Sequence, residues 1–129
     1  MRDIKNNLNV VQSLVPAART ATANGVGADL RGYDGAMAVV DIGAVSGTTP
    51  SFTFALEESA DDSAYAAVAT TDLQGAFSAV TSSNQAQRVG YVGAKRYVRV
   101  AITAVSGTSP AANCAATIVR GRAAQRPVA

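Results

Sequence analysis

Apolar and polar residues alternate along much of this chain. In Ser51–Glu57, the residues Phe52, Phe54 and Leu56 are separated by Thr53 and Ala55, giving an extended segment with one strongly apolar face. In Tyr97–Thr103, Val98, Val100 and Ile102 share one face, and Tyr97, Arg99, Ala101 and Thr103 share the other. Met37–Ile42 is apolar on both faces, with Ala38, Val40 and Ile42 on one and Met37 and Val39 on the other, which predicts a central strand. Arg19–Thr22, Val26–Leu30, Tyr65–Val68, Arg88–Val92 and Cys114–Arg120 read as further short strands, and Leu73–Phe77 gives a weaker signal. About eight short antiparallel strands with turn signals between them predict an all-β, single-domain β-sandwich or jelly-roll-like fold over residues 19–121.

The turn signals suggest how these strands connect. Asn24-Gly25 predicts a tight turn, with Val26–Leu30 as the return strand. Gly93-Ala94-Lys95-Arg96 predicts a hairpin between Arg88–Val92 and Tyr97–Thr103. One segment also recurs: Ala44-Val45-Ser46-Gly47-Thr48-Thr49-Pro50 returns as Ala104-Val105-Ser106-Gly107-Thr108-Ser109-Pro110, an offset of 60 residues. Gly and Pro, flanked by Ser and Thr, predict two hairpin-like corners. At the same offset Val40 and Ile42 match Val100 and Ile102, so the echo reaches into the preceding strand.

Residues 1–18 stand apart as an N-terminal arm. Ile4, Leu8, Val11 and Leu14 or Val15 have roughly helical spacing, but the stretch is Asn-rich and Pro16 would end a helix there. An extended arm packed on a partner and a short helix both satisfy this pattern. Asn9, Gln12, Ser13 and Pro16 interrupt Leu8–Ala18, so the arm is expected to belong to the mature protein and not to a signal peptide. Residues 122–129 form a basic, Pro-containing tail expected at the surface.

Composition narrows the chemistry. The chain has no His and a single Cys, Cys114, which leaves no Ser-His-Asp triad, no Cys-His pair and no internal disulfide. Cys114 sits among alanines and is expected to be a small buried thiol. No apolar run approaches the roughly 18 residues of a membrane-spanning helix. Apolar residues make up 48% of the chain, but aromatic residues only 5%, so a core of small side chains is expected. Such a core is a motive for binding other copies or a larger body.

Charge is segregated along the chain. Residues 1–72 hold all nine acids and four bases, a net −5; the remainder holds seven bases and no acid, a net +7. The cluster Arg88, Lys95, Arg96 and Arg99, with Tyr91 and Tyr97, is the best contact candidate, because Tyr97 and Arg99 fall on one strand face. Arginines stacked on tyrosines over a solvated sheet face would give the same pattern. The acidic stretch Glu57, Glu58, Asp61 and Asp62 lacks the spacing of a calcium loop and reads as a solvated turn. Neither Asn24-Gly25-Val26-Gly27 nor Gly90-Tyr91-Val92-Gly93 has the Lys-Ser/Thr ending of a phosphate-binding loop.

Three strings carry a resemblance: Ala21-Thr22-Ala23-Asn24-Gly25-Val26-Gly27-Ala28-Asp29-Leu30-Arg31-Gly32-Tyr33-Asp34, then Leu56-Glu57-Glu58-Ser59-Ala60-Asp61-Asp62-Ser63, then Val89-Gly90-Tyr91-Val92-Gly93-Ala94-Lys95-Arg96-Tyr97-Val98-Arg99-Val100. With them, most of Arg19–Arg120 resembles small virion proteins of tailed bacteriophages and prophages, the capsid decoration or cement proteins. The resemblance implies a non-enzymatic structural protein, without cofactor or metal, made in the bacterial cytoplasm and carried on the capsid exterior. Its implied partners are the major capsid protein and other copies of itself, with a trimer favoured, and neither a membrane nor nucleic acid. The expected contact residues are Ile4, Leu8, Val11 and Leu14 on the arm and Arg88, Lys95, Arg96, Tyr97 and Arg99 on the sheet. A head–tail joining or tail protein, and a carbohydrate- or host-surface-binding β-sandwich module, are the alternative readings.

Overall fold

The structure, a computed structural model, describes residues 2–124. It is all-β, with eight strands in one antiparallel sheet that does not close on itself. The strands are β1 (Asn9–Arg19), β2 (Ala23–Asn24), β3 (Ala28–Asp29), β4 (Tyr33–Ser59), β5 (Ala66–Ala67), β6 (Leu73–Gln74), β7 (Gln85–Tyr91) and β8 (Tyr97–Ala123). A 3-10 turn, Thr70–Asp72, precedes β6. The main order across the sheet is β1-β8-β4-β7-β6, with β2 and β3 also on β8 and β5 on β4.

The strands are not uniformly short. β4 and β8 each run for 27 residues and pair with one another from Tyr33↔Ala123 to Ser59↔Tyr97. The two copies of the recurring segment lie in the middle of these strands and face each other there. They are therefore bends within one long ribbon and not hairpin turns. Register shifts fall at Ile42/Val45, Ser46/Thr48 and Thr48/Ser51, with one more at Thr53/Phe54, as expected where bulges bend a strand.

The bend has matching backbone on its two sides. Gly47 and Gly107 have φ of 113° and 107°, and Thr49 and Ser109 have φ of 47° and 49°. Glycine is required by closeness as well as by φ. A Cβ on Gly47 would lie 2.7 Å from the Ser109 carbonyl oxygen, and one on Gly107 would lie 2.6 Å from that of Thr49.

Two other local expectations are corrected. Asn24-Gly25 does not reverse the chain, because Ala23↔Ile102 and Ala28↔Val98 continue antiparallel along the same side of β8. Arg88–Val92 and Tyr97–Thr103 do not form a hairpin either. β7 pairs with β4, from Ala36↔Tyr91 to Ile42↔Gln85, and its other neighbour is β6. The Met37–Ile42 segment is central as expected, with β7 on one side and β8 on the other.

Side chains from both sides of the bend join one core. Val40 and Ile42 before it, Phe52, Phe54 and Leu56 after it, and Val98, Val100, Ile102, Cys114 and Ile118 of β8 are all buried in a single cluster. Phe54 meets Phe77 with ring centroids 6.5 Å apart. Burying Phe52 completely, with Val80 bridged to it, is worth about 3 kcal/mol on the scale of apolar transfer. The largest side chains with almost no exposure are otherwise Leu, Ile and Val, the small-residue core expected from composition.

The N-terminal arm takes its extended form and contributes β1, paired with β8 from Asn9↔Arg120 to Arg19↔Ala112. A bulge between Gln12 and Leu14 breaks its alternation, so that consecutive residues Ser13 and Leu14 are both buried. The Ser13 hydroxyl accepts the Val100 N–H at 2.9 Å and donates to the Val26 carbonyl at 3.0 Å. The Val26 N–H in turn donates to the Ser13 carbonyl at 2.7 Å. At the other end β8 runs through Arg122 and Ala123, and residues 125–129 of the expected basic tail lie outside the described residues.

Candidate contact surface

Of the residues expected on a contact surface, Arg96, Tyr97 and Arg99 are held by ion pairs and ring contacts within the chain. Arg99 on β8 stands opposite Glu57 on β4. Its Nε and Nη2 each lie 2.8 Å from Glu57 Oε1, and its guanidinium lies 4.0 Å from the centroid of the Tyr65 ring. Arg96 reaches back to Asp29, with Nε 2.9 Å from Oδ1 and Nη2 2.8 Å from Oδ2, and lies 5.0 Å from the Tyr97 ring centroid. Both arginines are thus committed within the chain.

The two ion pairs differ in environment. The Arg99 and Glu57 side chains are 19% and 17% exposed, while those of Arg96 and Asp29 are 45% and 39% exposed. The Arg96 guanidinium hydrogen-bonded to Asp29 pulls its carboxyl down to about 2, against a smaller opposing effect of burial. Both pairs join the acidic early part of the chain to the basic later part. The charge segregation seen along the sequence is therefore partly neutralised by strand pairing.

A third arginine completes the pattern and was not among the expected residues. Arg120 lies 4.5 Å from the Tyr33 ring centroid, donates from Nη1 to the Asp29 carbonyl at 2.7 Å, and bonds the Asn9 side chain through Nε at 3.1 Å. Its only trace in the sequence is its place at the end of an alternating run, because Asn9 and Tyr33 are far away along the chain. Tyr91, the remaining tyrosine, is buried, and its hydroxyl accepts the Lys95 N–H at 3.0 Å. Burial raises the pKa of the Tyr91 phenol above its ordinary value.

The acidic loop is tied down by its own backbone. Asp61 Oδ1 accepts the Ser59 hydroxyl at 2.9 Å and the N–H groups of Ser63 and Ala64 at 3.0 and 3.1 Å. The Ser59 hydroxyl, then these N–H groups, hold the Asp61 carboxyl below its usual range. The Tyr65 hydroxyl donates to Asp62, and burial followed by that bond raises the phenol well above its ordinary value. Cys114 is buried, as expected, and burial pushes its thiol up.

The other expected contact residues divide. Arg88 and Lys95 are exposed, and Lys95 lines an open groove of about 340 Å³ with Leu30, Arg31, Tyr33, Asp34 and Arg96. Leu14 lies in the chain's own core and Val11 packs against it, so neither is offered to a partner. Leu8 is half-buried and Ile4 is exposed. In their place the structure presents Val10, Val15 and Val26, each more than half exposed. Val10 and Val15 lie on β1, and Val26 is hydrogen-bonded to Ser13 in the same strand. β1 stands at the end of the main strand order, and residues 6–18 carry no charge. The helical spacing of the arm leaves Val10 off its apolar stripe and includes Val15 only as the alternative to Leu14, so it does not point to this edge.

The second exposed surface is the bend itself. Ser46, Gly47, Thr48 and Thr49 and their counterparts Ser106, Gly107, Thr108 and Ser109 are all exposed, giving an uncharged, hydroxyl-rich tip. No protein-family profile, curated protein or solved structure matches this chain.

Proposed function

We propose that this protein is a phage virion structural protein that decorates and cements an icosahedral capsid, binding its exterior through many non-covalent contacts. One observation carries the reading furthest: the exposed valines Val10 and Val15 lie on β1 at the end of the main strand order, in a stretch, residues 6–18, that carries no charge, and the exposed Val26 is hydrogen-bonded to Ser13 of that strand. Exposed apolar side chains clustered on a strand edge suit contact with another protein. The resemblance of the three quoted strings to decoration proteins supplies the identity of that protein, the major capsid subunit, and of further copies of this chain. Trimers remain the favoured assembly in this reading. Cementing needs no catalytic group, because anything that binds only the assembled shell stabilises it by mass action, and weak contacts sum through multivalency.

The fold-level part of the proposal is a sandwich-like body, made by folding the β4–β8 ribbon over at its bend. The shared core of residues before and after the bend supports it.

A sugar-binding module needs open aromatic faces. Here Tyr33, Tyr65 and Tyr97 each have an arginine over the ring, and Tyr91 is buried. That arrangement favours the cementing reading over the carbohydrate one. A head–tail joining protein differs from a cement protein in stoichiometry. Copy number per particle, read from a stained gel, separates them: on the order of hundreds for a cement protein against about a dozen for a joint.

A further inference from the structure

The Asn24-Gly25 step carries a chemistry that the sheet holds in check. In an Asn-Gly pair the backbone nitrogen of the second residue can attack the asparagine carboxamide, since glycine places no side chain in the way. Asn24 is exposed and pairs with Ala101 in β2. The Gly25 N–H donates to the Val100 carbonyl at 2.9 Å. Gly25 is also wedged in place, since a Cβ there would lie 2.4 Å from both Ser13 Oγ and the Val100 carbonyl oxygen.

We infer that Asn24 is a latent deamidation site, silent in the closed sheet and reactive whenever the contact of Ser13, Gly25 and Val100 opens. The Gly25 nitrogen gives up its proton and forms a bond to Asn24 Cγ. The carboxamide C–N bond breaks, ammonia leaves, and a five-membered succinimide remains. Water then opens the ring at either carbonyl, leaving aspartate or isoaspartate at position 24. Solvent water is the only co-reactant, and nothing is oxidised or reduced.

Two features hold the closed form inert. Losing the Gly25 proton requires breaking its bond to Val100, and ring closure requires Asn24 to leave its extended, paired backbone. The isoaspartate product adds a methylene to the main chain between Ala23↔Ile102 and Ala28↔Val98, and both products add a negative charge. With isoaspartate the register of β2 and β3 on β8 no longer fits, whereas aspartate changes only the charge; since ammonia has left, the mark is one-way in both cases.

The test is peptide mapping of the full chain after incubation in mildly alkaline buffer, alone and with graded denaturant, alongside hydrogen exchange at the Gly25 amide. The native sample should keep Asn24, and conversion should rise by about tenfold or more with denaturant, in step with Gly25 exchange. The Ser13→Ala variant should convert faster than wild type in plain buffer. Equal conversion in native and denatured wild type would overturn the proposal. So would an Asn24 that stays intact in full denaturant, or conversion that does not follow Gly25 exchange; all three are read on the wild-type chain and need no variant that folds.

Discussion

Thr48 pairs across the ribbon with Thr108, its own counterpart in the second copy of the recurring segment. Each copy therefore serves as the other's partner, and the 60-residue offset is the mark of a local two-fold relation between β4 and β8. The Gly47 and Gly107 contacts mirror one another across it. Gly47→Ala and Gly107→Ala should each lower stability by about 2 kcal/mol or more, because each combines a strained φ with a clash against backbone. Their losses should agree within about 0.5 kcal/mol, measured by urea unfolding, whereas unequal losses would break the equivalence.

Replacing Thr49 or Ser109 by Asn should have the opposite tendency. Both sit at positive φ, where Asn is better tolerated than a β-branched Thr. A neutral or slightly raised unfolding midpoint is expected for each, with the larger gain at Thr49.

The two ion pairs should respond unequally to mutation. Arg99→Ala leaves Glu57 in a largely enclosed place and exposes one face of Tyr65, so a loss of about 2 kcal/mol is expected. Arg99→Lys should recover little of it, since one ammonium cannot reproduce both the paired N–H contacts and the stacking. Arg96→Ala should cost clearly less than Arg99→Ala, because its pair with Asp29 is solvent-screened. Chemical denaturation of the three variants checks the order.

Asp29 sets an acid dependence. Its folded pKa of about 2 lies below the unfolded value of about 3.9. Its contribution is therefore complete above the unfolded value and is lost as pH falls from about 4 towards 2. Exposure keeps the effect below about 1 kcal/mol. Arg96→Met should flatten the fall in stability across that window, and an unchanged slope would show that the pair does not cause it.

Much of the sheet was legible because alternation reports faces directly. Phe52, Phe54 and Leu56, and Val98, Val100 and Ile102, are buried as their spacing predicts. Alternation does not report partners. Gln85–Tyr91 belongs beside β4 through contacts distant in sequence, whereas the local Gly93–Arg96 signal suggested β8. Gly25 and Gly47 were read as turn glycines, yet both answer to close backbone approach inside paired segments. Among the expected contact residues, strand periodicity puts Tyr97 and Arg99 on one face, and Arg96 stands out only as part of the basic cluster beside them. Their partners Asp29, Glu57 and Tyr65 do not stand out, because only long-range pairing brings them together.

The exposed edge gives a functional prediction separate from stability. Val10→Lys combined with Val15→Lys should leave the unfolding midpoint close to wild type, since both side chains are already exposed. The same variant should lose most of its binding to capsids, because charge blocks edge contacts. Pelleting with empty heads reads the binding; full retention would remove β1 from the contact.

The most direct measurement adds the purified protein to heads that lack it and records both bound copies and the temperature at which shells break. Saturable binding of on the order of hundreds of copies, with a raised disruption temperature, is the predicted result. Shells that break at the same temperature with and without the protein, and carry none of it, would contradict a cementing role.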